Sequence, residues 1–78
     1  MLRDFLKECL EQAYEDWLRD NKDEYRYPEE AWKNDFCEDI YIEYVEDVIR
    51  KKDQDMWYCT KGFMTYMLCK SIVRGEEF

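Results

Sequence analysis

The sequence predicts an all-α protein, a small three-helix bundle with helices over about residues 2–20, 28–51 and 55–74. Three observations lead there. The 78 residues include only two glycines and one proline, which leaves few tight turns for a sandwich or barrel. Apolar residues recur at steps of three and four through most of the chain. A composition 46% hydrophobic and 18% aromatic supplies a core despite a net charge of −8, and argues against disorder. At this length residues 1–78 form one acidic helical domain, near the lower size at which a core sustains a fold unaided.

In the first helix Leu2, Phe5, Leu6, Cys9, Leu10, Ala13, Trp17 and Leu18 make one apolar stripe. The other face mixes Arg3 and Lys7 with Asp4, Glu8, Glu11, Glu15 and Asp16, as an ordinary solvated face does. Residues 21–27 have no period and lead to Pro28, whose fixed φ and missing N–H suit a first helical turn. Glu29 and Glu30 then sit at the positive end of the helix dipole, and Arg50, Lys51 and Lys52 at its negative end. Between them Trp32, Phe36, Cys37, Ile40, Tyr41, Tyr44, Val45 and Val48 cover about half the circumference at 100° per residue. Residues 40–45 are β-prone by composition, but the acids fall on one side only at helical period.

The third helix is expected to be capped by Asp53 or Asp55 and stopped by Gly75. Its apolar residues form two lines, one of Trp57, Met64, Leu68 and Ile72, the other of Met56, Cys59, Phe63, Tyr66 and Met67. A bundle this small covers only one line fully, which leaves the other to close a homodimer. Residues 56–73 hold no acid, but 18 residues fall short of the roughly 20 a membrane span needs, and Lys61 and Lys70 lie on opposite sides.

The amino-terminal run has acids among its apolar residues and no small-residue cleavage site, so it does not read as a secretory signal and a cytoplasmic location is expected. Cys9, Cys37, Cys59 and Cys69 show no C-x-x-C spacing and are expected to be free, buried thiols. With no histidine, one serine and two threonines, catalytic triads and Cys–His pairs are excluded, and two glycines cannot build a phosphate-cradling loop. No cofactor is implied. The one constellation with metal chemistry is the E-x-x-E spacing of Glu8 with Glu11 and Glu43 with Glu46, which on two facing helices could hold Mg²⁺ in a small all-helical nucleotide hydrolase. The same spacing also arises by chance in helices rich in acid.

The strongest feature is the segregation of charge. Residues 28–49 carry −7 with Lys33 their only base, whereas residues 56–75 carry +3 with no acid. Eight acids over about 22 helical residues amount to one charge per ~4 Å of axis, close to the ~3.4 Å spacing along one DNA strand. Such a stripe can occupy a basic groove made for nucleic acid, while the net charge disfavours nucleic-acid binding by the chain itself. It also keeps an aromatic-rich protein in solution. The candidate partner-binding residues are Asp35, Glu38, Asp39, Glu43, Glu46 and Asp47, with Tyr41 and Tyr44 beside them as contact-prone rings. A small, acidic, Tyr-, Trp- and Met-rich domain without catalytic residues is similar to phage-encoded inhibitors of host defence nucleases, the anti-restriction and anti-CRISPR proteins. That resemblance implies a non-enzymatic inhibitor or adaptor whose partner is a protein with a basic, nucleic-acid-binding surface, met in the host cytoplasm.

Overall fold

The computed structural model describes residues 2–60 and 62–75. Among them every regular element is helical. Helix α1 is Leu2–Asn21, α2 is Pro28–Asp35, and α3 covers residues 38–52, α-helical over Glu38–Ile40, π-helical over Tyr41–Val45 and α-helical again over Glu46–Lys52. Helices α4 (Gln54–Thr60) and α5 (Phe63–Val73) complete the chain.

Helix α1 is the central element and forms as its stripe predicts. Leu6, Cys9, Leu10, Ala13 and Trp17 are buried, while Phe5 and Leu18 pack half-buried against them. It contacts α2, α3 and α5. Glu8 near its start faces Lys52 at the end of α3, and Asp20 near its end faces Tyr44, so the two helices run antiparallel.

The single helix expected over 28–51 is two. Phe36 (φ −55°, ψ 122°) and Cys37 (φ −143°, ψ 177°) leave helical geometry and turn the chain between α2 and α3. The turn lets Phe36 lie 2% exposed, edge-on to Trp32 at 5.2 Å and stacked on Tyr66 at 6.1 Å. Pairing rings from three segments outweighs the few backbone bonds that an unbroken helix would keep. Residues 40–45, β-prone by composition, are helical, but wider than an α-helix: the Glu46 N–H donates to the Tyr41 carbonyl, five residues back. The wider turn brings residues four apart nearly into line, so Tyr41, Val45 and Ile49 form one row at 2%, 0% and 0% exposure.

The third predicted helix also divides. Asp53 caps α4 as expected, its Oδ1 accepting from the Met56 N–H at 3.1 Å. Gly62, at φ +133°, then separates α4 from α5, a backbone state that side chains rarely adopt. Gly75 (φ +73°) ends α5 with its N–H donating to the Ile72 carbonyl. With two axes in place of one, neither apolar line is buried as a whole. The inward side of α5 is Thr65, Tyr66 and Cys69, backed by half-buried Leu68, Ile72 and Val73, whereas Phe63, Met64 and Met67 are exposed at 62%, 75% and 39%. No helix among the described residues is long and apolar enough to cross a membrane.

The four thiols are free, but only two are buried. Cys9 and Cys69 are 0% exposed, whereas Cys37, in the turn after α2, and Cys59, on the outer side of α4, are exposed.

Candidate functional site

The acids of residues 28–49 do not lie on one rod. Asp35 ends α2, and the turn at Phe36–Cys37 separates its axis from that of α3. Five acids remain on α3, Glu38, Asp39, Glu43, Glu46 and Asp47, within ten residues or about 15 Å of helix axis. The π-helical stretch that aligns the buried row aligns the outer ones too. Asp39, Glu43 and Asp47 fall on one row, and Glu38, Ile42 and Glu46 on the next.

Asp35, Glu38, Asp39 and Glu43 are exposed, and no salt bridge among the described residues engages them. Asp47 differs. Lys51 donates to its Oδ2 at 2.9 Å and Arg50 pairs with its Oδ1. The Lys51 hydrogen bond is the main reason its carboxyl is held below the usual carboxylate range. Its charge is thus largely answered within the chain. Glu46 is half-buried.

The two tyrosines expected at this surface part company. Tyr44 stays at its edge, half-buried, with its hydroxyl donating to Asp20 Oδ2 at 2.9 Å. Burial and then the Asp20 bond push its ionisation upward. Asp20 of α1 therefore joins the acidic face, a member that one-dimensional counting along residues 28–49 misses. Tyr41 is a core residue instead: it is 2% exposed, its ring lies 5.8 Å from Tyr66, and burial drives its ionisation far up. A helix sector four residues from Val45 and eight from Ile49 is the inward one, which is why its ring cannot meet a partner. Ile42, 51% exposed between Glu38 and Glu46, takes the apolar place at the surface. Its spacing of four from each of those acids was the signal that could have found it.

The carboxylates proposed for Mg²⁺ are not gathered. Antiparallel packing puts Glu8 against Lys52, 3.8 Å away, while Glu43 lies nine residues back along α3, about 13 Å of axis. Among the described residues no group of three or more Asp, Glu, Cys or His is arranged to hold a metal ion. Elsewhere an open groove of about 310 Å³ lies between α1, α2 and α5, walled by Leu10, Tyr14, Trp32, Ile72 and Val73. Its polar lining is Lys7, Glu11 and Glu29, with no Ser, Thr or Cys nucleophile.

Comparison with protein-family models, curated proteins and solved structures finds no match for this chain.

Proposed function

We propose that this protein is a non-enzymatic inhibitor or adaptor that docks the acidic rows of α3 onto a basic, nucleic-acid-binding surface of another protein. The observation that carries the reading is the set of four exposed acids, Asp35, Glu38, Asp39 and Glu43, which have no salt bridge among the described residues to quench them. Glu38, Asp39 and Glu43 share about 8 Å of one helix axis, so their fields add on one side of the molecule. Helix α3 packs along α1, and a row held on a packed helix loses less entropy on docking than flexible acids would. The acidic surface is shorter than a 22-residue rod: the α3 rows match a few phosphates of one strand, enough to cover the entrance of a groove. The resemblance in composition to phage-encoded nuclease inhibitors, anti-CRISPR and anti-restriction proteins among them, agrees with such a target.

The test is capture of the partner from a host lysate at about 50 mM salt, by the wild-type chain and by a variant with Asp35, Glu38, Asp39 and Glu43 changed to Lys. The expected partner is released by about 500 mM salt, is displaced by duplex DNA or RNA, and is not held by the variant. Equal retention by a variant that is still folded refutes the reading.

A further inference from the structure

Beyond the acidic rows, the surface holds a second feature of opposite character. Helix α5 presents Phe63 and Met67 one turn apart, with Met64 beside them, at 62%, 39% and 75% exposure. Lys70 and Arg74 continue the same line, three and seven residues past Met67, so the face runs from apolar to basic over about 16 Å. Lys70 is half-buried with its ammonium 5.9 Å from the Tyr66 ring, and Arg74 is exposed. No acid falls anywhere in residues 56–75.

The α3 face has the complementary layout. Ile42, 51% exposed, stands among Glu38, Asp39 and Glu43, so it is an apolar knob in an acidic surround. The α5 face is an apolar patch with a basic continuation, and methionines adapt readily to a branched side chain.

We infer that the α5 face docks the α3 face of a second copy of this chain, burying Ile42 against Phe63, Met64 and Met67 and bringing Lys70 and Arg74 to the acids. Charge selects this head-to-tail contact over patch-to-patch pairing. Two α5 faces in parallel register would set Lys70 and Arg74 against their own copies, with no acid among residues 56–75 to answer them. The net charge of −8 on each copy opposes association, but at about 0.15 M salt the screening length is ~8 Å, so charges in contact count and distant ones do not. A heterologous contact leaves one free face of each kind at the ends, so assembly continues past the dimer unless it closes into a ring. Because the α3 rows serve both contacts, a second copy and a basic partner exclude one another.

Sedimentation velocity of the full chain tests this. The weight-average mass is expected to rise with concentration, and the association constant to fall about tenfold or more between roughly 50 mM and 500 mM salt. Two separate variants, Met64→Glu on the α5 face and Glu38→Lys with Glu43→Lys on the α3 face, are each expected to be monomeric. Their equimolar mixture is expected to give a 1:1 dimer, since one brings an intact α3 face and the other an intact α5 face. Arg74→Glu, beyond the end of α5 and exposed, tests the same contact without touching the packing, and circular dichroism checks each fold. Four results would overturn the inference: a wild-type monomer at every concentration, self-association of the α3 variant alone, unchanged association of the Met64 or Arg74 variant, or a mixture that stays monomeric. Met64→Glu and Arg74→Glu leave the acids of α3 intact, so capture of a basic partner by these variants survives even where the self-contact fails.

Discussion

Replacing Tyr41 by phenylalanine removes one oxygen from the interior and leaves the ring in place. That hydroxyl is buried with no hydrogen-bond partner among the described residues, in a residue 2% exposed. A hydroxyl taken out of water without a compensating bond costs about 1–3 kcal/mol. The void left by its removal is smaller than a methyl group and returns less than about 1 kcal/mol of that. Tyr41→Phe is therefore expected to stabilise the fold by about 1 kcal/mol, or roughly 4–8 °C in melting temperature at this chain length. Urea unfolding followed by circular dichroism measures it, and the midpoint should rise with its slope unchanged. The same substitution at Tyr44 has the opposite sign, because there the hydroxyl donates to Asp20 at 2.9 Å. Its loss should cost up to about 1 kcal/mol, reduced by the exposure of the pair. Destabilisation of 1 kcal/mol or more by Tyr41→Phe would refute the reasoning, since it would mean that the buried hydroxyl is bonded. Partner binding should be untouched by Tyr41→Phe, because no part of that ring reaches the α3 surface.

Gly62→Ala is expected to cost about 1–3 kcal/mol by thermal melting: a Cβ there meets no atom within 4 Å, so the whole effect comes from the φ of +133°. A neutral result would show that the α4–α5 junction takes another conformation. A thiol reagent at neutral pH should modify Cys37 and Cys59 quickly, with Cys9 and Cys69 reacting only on unfolding; mass spectrometry of tryptic peptides identifies the sites. Burial pushes the Cys9 thiol up to about 11 and the Cys69 thiol up to about 12, from an ordinary 9.0. Between pH 9 and about 11 the unfolded chain has therefore released protons that the folded chain retains, and stability should fall as pH rises through that window. Below pH 9 both states hold these protons and the two thiols add no pH dependence, which urea midpoints at about pH 7.5, 9 and 10.5 would check.

What was legible in advance was whatever short-range chemistry settles. The stripe of α1 faces the core as read from Phe5 to Leu18, and only its first member, Leu2, stays exposed at 39%. Pro28 opens α2, Asp53 caps α4 and Gly75 ends α5, because each acts on the backbone within a turn of itself. The acidic candidates Asp35, Glu38, Asp39 and Glu43 are exposed as their helical positions implied. Tyr41, Ile42 and the two apolar lines of the last segment were not legible in the same way. Their side depends on register, and a π-helical turn or a glycine at φ +133° shifts register by a fraction of a turn that apolar counting does not resolve.

The sequence alone determined that this chain is helical, that its acids crowd residues 28–49 and that residues 56–75 are rich in apolar side chains and free of acids. Those properties are local and periodic, and no distant contact alters them. Only the tertiary structure decided that the chain turns at Phe36–Cys37, that Tyr41 goes inward while Ile42 goes outward, and that Phe63, Met64 and Met67 stay exposed. Those outcomes follow from rings of Trp32, Phe36, Tyr41 and Tyr66 competing for one small interior, a contest between segments far apart in the chain that outweighs the next hydrogen bond of any single helix.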